Sequence, residues 1–291
     1  MRFSIVVPVK DEVDLIPRTL PSYYSVNPSE VVICMDKPPV KEALTLVKEI
    51  AHDYHTEDIT KIVEVERSPE WNYHQAHVRR AGFRKAEYDR ILTGDIDLVI
   101  NRNVLKTLKL VGRNNIGIAS CARFYYPNSF LDFYRLIGTG ILKHYIHKLA
   151  ELYRGRSIPR GAFTALYALW RPYWLDTESE EAVKKLPSLK KKLRRSRLDE
   201  IWTMADLCGE DVYLHKCMWK RHRVVYLTDI GGVVLRYPVE RHPNMQYLRG
   251  LKSAIGGRTL LGVLARTFFR AEPYYLRGYL DGVKIKKRRR G

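Results

Sequence analysis

The 291-residue sequence contains no uninterrupted run of about 18 apolar residues, so no transmembrane helix is expected. Its four cysteines, Cys34, Cys121, Cys208 and Cys217, form no Cys-x-x-Cys pair. That argues against a disulfide scaffold or a standard zinc site and predicts mostly buried thiols in a reducing compartment. His52 with His55, and His74 with His77, have helix-compatible spacing for a metal but no third ligand, so they read as surface or loop histidines. Gly138-Thr-Gly140 and Gly256-Gly257-Arg258-Thr259 lack the remaining Gly or Lys positions of a phosphate loop. The opening Met-Arg-Phe-Ser-Ile-Val-Val-Pro lacks the long apolar segment and small-residue cleavage site of a signal peptide. No internal repeat is visible.

Acid is absent from two segments. Lys184 to Arg197 holds eight bases and Lys284 to Arg290 holds six. Removing these fourteen from the formal net charge of +19 leaves +5 for everything else. Positive charge gathered in two patches predicts attraction to an anionic surface. The plainer reading is a solvated charged face plus a disordered tail.

What is present is a core. Hydrophobic residues make up 45% of the chain and aromatics 11%, which suits a folded α/β protein with an extension. Phe3 to Val9, Glu30 to Met35 and Ile62 to Val65 read as strands. Leu15 to Tyr24, Val40 to His52 and His74 to Glu87 carry helix-spaced apolar residues. Tyr88 to Asp97 reads as a fourth strand ending in two carboxylates. This alternation predicts a mostly parallel sheet covered by helices. Further on, the pattern predicts a helix over Asn101 to Leu110 and strands over Ile116 to Cys121 and Ala162 to Leu169. Glu178 to Arg197 starts acidic and turns basic. A helix is expected over Leu207 to Lys220, short strands over Val224 to Leu227 and Ile230 to Leu235, and helices from Arg249 onward. Phe130 to Leu152 is aromatic and amphipathic. It suits either an acceptor groove or core packing of Tyr134, Leu136, Ile141 and Tyr145.

Open sheets of this kind bind ligands outside the carboxyl ends of their strands. Three polar clusters fall there: Lys10 to Glu12, Asp36, and Asp95 with Asp97. In an extended chain residues i and i+2 point to the same side, so Asp95 and Asp97 would reach one ion or ligand. Carboxylate oxygens suit Mg²⁺ or Mn²⁺, with a diphosphate filling the remaining positions. Taken alone, an Asp-x-Asp is more often a solvated turn; its neighbours give it weight.

The ordered set resembles the family-2 glycosyltransferases, enzymes of the GT-A fold. Ser4-Ile-Val-Val-Pro-Val-Lys-Asp-Glu12 is similar to their opening strand. Val78-Arg79-Arg80-Ala81-Gly82 resembles their Ala-Arg-Asn-x-Gly helix, and Gly94-Asp95-Ile96-Asp97 their Asp-x-Asp. Gly209-Glu210-Asp211, followed by Arg223 to Asp229, resembles the acceptor-side Glu-Asp motif. The resemblance covers residues 1–235 and leaves 236–291 as a helical C-terminal extension with a basic tail. It implies an inverting, hexosyltransferase-like enzyme that uses a nucleoside-diphosphate sugar and Mn²⁺ or Mg²⁺. By resemblance Asp97 would hold the metal and Asp95 would contact the metal or the ribose. Pro8, Lys10, Asp11, Glu12 and Asp36 would surround the nucleoside, Arg79 would serve the pyrophosphate, and Asp211, beside Glu210, would be the general base. The departures are Lys10, Asp11 and Arg80 in place of the usual Tyr, Asn and Asn, and Leu98 where a third acid is common. Gly250 follows Gln246-x-x-Arg249 where processive synthases carry Trp, so non-processive transfer is expected.

The implied acceptor is a glycan, a lipid-linked sugar or a polysaccharide. Two plainer roles compete within the motifs: Asp211 as a helix cap and Arg79 as a solvated helix residue. A nucleic-acid-binding protein is the alternative from another class. It lacks a helix-turn-helix, zinc-finger or aromatic RNA-binding signature and leaves the strand-end acids unexplained, so no nucleic acid partner is expected. A nucleotidyltransferase of similar fold would carry a glycine-rich loop after the first strand; here that loop is Lys-Asp-Glu-Val-Asp. The expected location is cytoplasmic, with the basic segments suggesting peripheral attachment to the inner membrane face.

Overall fold

The computed structural model describes residues 1–127, 130–135, 137, 145, 149, 166–185, 210–235, 243–255, 258–270 and 272–288. Within some helices only the backbone is described, Glu210 and Asp211 among those positions. The chain divides into two compact units. The first comprises residues 1–124, 147–186 and 208–235, and the second 125–146, 187–207 and 236–291.

The first unit opens as the alternating pattern predicts: β1 (Ser4–Val9), α1 (Ile16–Tyr24), β2 (Glu30–Asp36), α2 (Lys41–Asp53), β3 (Thr60–Val65), α3 (His74–Lys85) and β4 (Arg90–Thr93). Then come β5 (Leu98–Ile100), α4 (Val104–Leu110), β6 (Ile116–Tyr125), β7 (Tyr167–Trp170), α6 (Arg171–Thr177), α7 (Glu180–Lys184), α8 (Glu210–Arg221) and β8 (Arg223–Val234). Between β6 and β7, α5 (Phe130–Arg135) belongs to the second unit.

The sheet runs β3-β2-β1-β4-β7-β6-β8-β5. Its first four strands are parallel. Beyond them β4 with β7, β6 with β7, and β5 with β8 pair antiparallel, so the sheet as a whole is mixed. β1 is buried along its whole length. β1 pairs with β4 only from Ser4 to Val6, so Pro8, which has no N–H to donate, falls where that neighbour has ended. Gly82 explains how α3 lies on this sheet. A Cβ there would sit 2.4 Å from Val6 Cγ1 and 2.5 Å from Cys34 Sγ, so only glycine allows the approach.

Several boundaries differ from the pattern for physical reasons. Val224–Leu227 and Ile230–Leu235 are one strand, β8, rather than two. Gly231 and Gly232 do not break it; they allow Cys121 Sγ and the Val99 carbonyl oxygen to approach where a Cβ would lie 2.1 and 2.8 Å away. The helix expected from Asn101 starts at Val104, because Asn101 Oδ1 instead accepts a hydrogen bond from the Asn103 N–H at 2.9 Å in a turn. Ser179 caps α7, its Oγ accepting from Ala182 N at 3.4 Å. Cys34 and Cys121 are buried and Cys217 is half-buried. The segments 162–165, 186–197 and 289–291, with Leu136, Ile141, Cys208, Gly209 and both glycine pairs (138–140 and 256–257), lie outside the described residues.

In the second unit, α9 (Pro243–Ile255), α10 (Leu260–Arg270) and α11 (Pro273–Arg288) follow one another. Gly250 on α9 and Gly278 on α11 let these two helices touch backbone to backbone. A Cβ on either would lie 2.0 Å from a carbonyl oxygen of the other helix, Tyr275 or Tyr247. Ala254, Val263, Tyr275 and Tyr279 form the core there. Tyr134 and Tyr145 are exposed, so core packing does not hold for those two. Among the described residues, no helix is long and apolar enough to cross a membrane.

Candidate functional site

The turn between β4 and β5 carries Asp95 and Asp97. Asp95 follows the end of β4 and Asp97 precedes β5, so the pair shares a tight turn rather than one face of a strand. The strand-alternation argument therefore gives way to a turn, and backbone hydrogen bonds define its shape. Tyr23 Oη donates to the Asp95 carbonyl at 2.8 Å, Thr19 Oγ1 to the Ile96 carbonyl at 2.6 Å, and Leu98 N to the Asp95 carbonyl at 3.1 Å. Leu235 N donates to the Asp97 carbonyl at 2.8 Å, which ties the end of β8 to the same turn. Ile96 is buried, and both aspartate side chains are partly exposed.

Arg79 on α3 is 1% exposed, and its Nη2 donates to Asp95 Oδ1. It is therefore a buried ion-pair partner and not a solvated helix residue. The packing of Gly82 against β1 and β2 carries that guanidinium down to the strand ends. Burial raises the Tyr23 hydroxyl pKa, and the Asp95 and Asp97 charges raise it further, against the opposing cations Arg79 and Arg123. Tyr23 thus stays protonated and serves as a donor.

Arg80, one residue on, points elsewhere. Its Nε donates to Glu178 Oε2 at 2.8 Å and its Nη2 to Glu178 Oε1 at 2.5 Å, with both side chains buried. Trp174 Nε1 also donates to Glu178, at 2.5 Å. This is a bidentate pair between α3 and the segment joining α6 to α7.

At the end of β1, Pro8 is buried and Lys10 and Asp11 are exposed. Lys10 and Asp11 lie 3.6 Å apart, a solvent-screened contact of little energetic weight. Glu12 serves its own loop: its Oε2 accepts from Lys10 N at 2.8 Å, and its carbonyl accepts from Leu15 N and Ile16 N. At the end of β2, Asp36 accepts from two directions. His74 Nε2 is 3.0 Å from Oδ1 and Arg67 Nη2 is 3.2 Å from Oδ2. His74 starts α3, and His77, one turn later, stacks on Trp71 with ring centroids 4.6 Å apart. These two histidines are structural partners and not surface residues. Burial, with the nearby His74, lowers the His77 pKa. By contrast His52 is exposed and pairs with Glu57.

Glu210 and Asp211 open α8 in its first turn, where the helix dipole favours carboxylates. Two residues later Tyr213 packs on the cluster of Trp71, Ala76 and Val183, which ties the start of α8 to α3 and α7.

No group of three or more His, Cys, Asp or Glu side chains converges on a common point among the described residues. Asp95 and Asp97 therefore offer at most two carboxylates. Mg²⁺ is commonly held that way, by one or two carboxylates plus substrate phosphates and water, so the donor set fits a hard divalent cation. The motifs do not reveal Tyr23, Arg67, His74 or Arg123. The only sequence signal for Tyr23 is that a buried tyrosine hydroxyl needs a partner, which does not say where that partner lies.

A family model described as glycosyl transferase family 2 matches residues 4–167. No curated protein matches the chain in sequence. Among solved structures it is similar to the mannosyltransferase PcManGT from Pyrobaculum calidifontis, in complex with GDP-Man and Mn²⁺. That likeness has a TM-score of 0.53 and 17% identity, and covers 98% of this chain and 74% of that one. It is also similar to residues 1–349 of TarS from S. aureus in complex with UDP-GlcNAc, with a TM-score of 0.51, 15% identity, and coverage of 97% and 73%. At these identities the likeness speaks to the fold, which is GT-A. The family match spans more than half of the chain and contains the strand ends with Asp36, Arg79, Asp95 and Asp97, and on that ground this chain belongs to glycosyltransferase family 2 and is a nucleotide-sugar glycosyltransferase.

Proposed function

We propose that the chain transfers a sugar from a nucleoside-diphosphate sugar to an acceptor hydroxyl with inversion, aided by one divalent cation, and releases its product after each transfer. The observation that carries this reading is the Asp95–Asp97 turn at the end of β4, hydrogen-bonded from α1 and held by the buried Arg79. Asp97 and Asp95 are the residues that would hold Mn²⁺ or Mg²⁺, and such a cation supplies charge neutralisation for the departing diphosphate. The solved relative with GDP-Man and Mn²⁺ supports this choice of donor class and metal.

Arg79 fixes the orientation of Asp95 through their side-chain ion pair. Asp36, gripped by His74 and Arg67, is the acid beside the nucleoside, with the loop from Pro8 to Glu12 along its edge. Asp211 takes the proton from the acceptor hydroxyl, with Glu210 next to it in the first turn of α8. The acceptor oxygen bonds to the anomeric carbon as the bond from that carbon to the diphosphate oxygen breaks, so the configuration inverts. Gly250 after Gln246-x-x-Arg249 supports non-processive transfer. The basic segments support work at an anionic membrane surface on a glycan or lipid-linked acceptor.

A thermal-shift screen of UDP, GDP and their sugars, with and without Mn²⁺, tests this reading. One nucleotide family should raise the melting temperature only when Mn²⁺ is present. No stabilisation by any of them, together with no release of nucleoside diphosphate from any donor, would sink it.

A further inference from the structure

Helix α10 is built inside out for a water-soluble helix. Its inward side carries Val263, fully buried, and Arg266, whose Nε donates to the buried Glu272 at 3.2 Å and whose guanidinium lies 4.6 Å from the Tyr275 ring centre. Its outward side carries Leu260, Leu261, Leu264 and Phe268, spaced on one helical face; Leu261 is 78% exposed and Phe268 70%. A soluble helix normally does the reverse. Helix α5 extends the patch. The Tyr134 hydroxyl donates to the Phe268 carbonyl at 3.4 Å, and on the same short helix Phe130 is 87% exposed, with Phe133 also in solvent. Apolar side chains scattered singly need no explanation, but a contiguous patch does.

The charge of the sequence that carries the patch selects what covers it. Residues 236–291 contain fourteen Lys and Arg against three acids, a net of +11. Of the acids, Glu272 is buried against Arg266, and Asp281 accepts from Tyr247 at 3.1 Å and lies 3.5 Å from Lys284. Arg258, immediately before α10, and Arg277 and Lys284 on α11 are exposed. A second copy of the chain would bring like charge against like. A bilayer with anionic headgroups offers phosphates to the cations and an acyl boundary to the Leu and Phe side chains. That combination defines a helix lying in the plane of the interface.

We propose that the outward face of α10, with Phe130 and Phe133 of α5, inserts into the headgroup–acyl boundary of an anionic bilayer. This rests on the membrane-surface reading above and deepens it from attraction by basic segments to insertion by a named apolar face. Co-sedimentation with phosphatidylglycerol/phosphatidylcholine vesicles tests it, using the full chain and a Leu261→Ser, Phe268→Ser double variant that leaves net charge unchanged. Wild type should pellet with the mixed vesicles and keep part of its binding when salt screens the headgroups. The variant should bind at least about tenfold more weakly, as loss of two inserted side chains requires, with unchanged melting temperature and nucleotide binding. If the variant binds as wild type does, insertion is wrong and attraction alone remains. If wild type ignores the vesicles at low salt, insertion and the membrane-surface reading fall together. If wild type is a dimer without lipid and the variant a monomer, the face is a self-interface and the proposal is overturned.

Discussion

Tyr23 donates its hydroxyl hydrogen bond to the Asp95 carbonyl oxygen at 2.8 Å across 72 residues of sequence. Gly94 makes room for it, since a Cβ on Gly94 would lie 2.6 Å from that hydroxyl oxygen. Helix α1 thereby shapes the turn that carries both candidate metal-binding carboxylates.

Tyr23→Phe removes the donor and keeps the ring. It should cost about 1 kcal/mol in urea unfolding, the net worth of one such bond. Gly94→Ala should cost more, about 1–3 kcal/mol, because it crowds a packed site. Both should weaken Mn²⁺-dependent nucleotide binding. If Tyr23→Phe binds nucleotide as tightly as wild type, the hydroxyl does not hold the turn in its working shape.

The Arg80–Glu178 pair is expected to serve stability and not chemistry. Arg80→Met alone leaves Glu178 without its guanidinium partner and should cost about 3–5 kcal/mol. Arg80→Met with Glu178→Leu should cost markedly less than the sum of the two single changes. Nucleotide affinity of the folded variants should stay near that of wild type. A variant of full stability that cannot bind nucleotide would place Arg80 in the donor site instead.

The neighbouring arginines show how far the sequence could be read. Their motif marked α3 as important, and strand-end logic placed Asp36 and the Asp95–Asp97 pair on the carboxyl edge of the sheet. The sequence could not say that both arginines are buried, because charge normally marks a solvated face and here hides a packed one. What reverses that rule is Gly82, which brings α3 close enough to β1 and β2 for Arg79 to meet Asp95. His74 was illegible for a related reason: its partner Asp36 lies 38 residues away, and the pairing exists only after β2 and α3 are aligned. The unbroken β8 is hidden by Thr228 and Asp229, polar residues that separate two apolar runs in the sequence and yet lie within the strand.

Burial pushes the thiols of Cys34 and Cys121 up from 9.0 to about 12. The folded state therefore holds these protons more tightly than the unfolded chain. Their contribution to stability is fully present below about pH 9 and is lost as pH rises toward about 12. At pH 8 a thiol reagent should modify neither residue until denaturant is added. Rapid labelling of either in the folded protein would contradict their buried placement.

Asp211→Asn should lower turnover by roughly 10² to 10⁴, the usual yield of a positioned base, with donor affinity nearly unchanged. Asp211 also stands in the first turn of α8, where an acid stabilises the helix. Normal turnover with a large loss of melting temperature would assign it to the helix and leave the base to another group.

The most direct measurement is Mn²⁺ binding, followed by the electron paramagnetic resonance signal of the free ion, in wild type and Asp97→Asn with and without the stabilising nucleoside diphosphate. The two carboxylates of the turn offer only part of a coordination shell, so wild type should bind Mn²⁺ tightly only when the diphosphate is present. Asp97→Asn should lose at least about tenfold in that affinity while its melting temperature without ligands stays at the wild-type value. Equal Mn²⁺ affinity in wild type and Asp97→Asn would contradict the assignment of the metal to this turn.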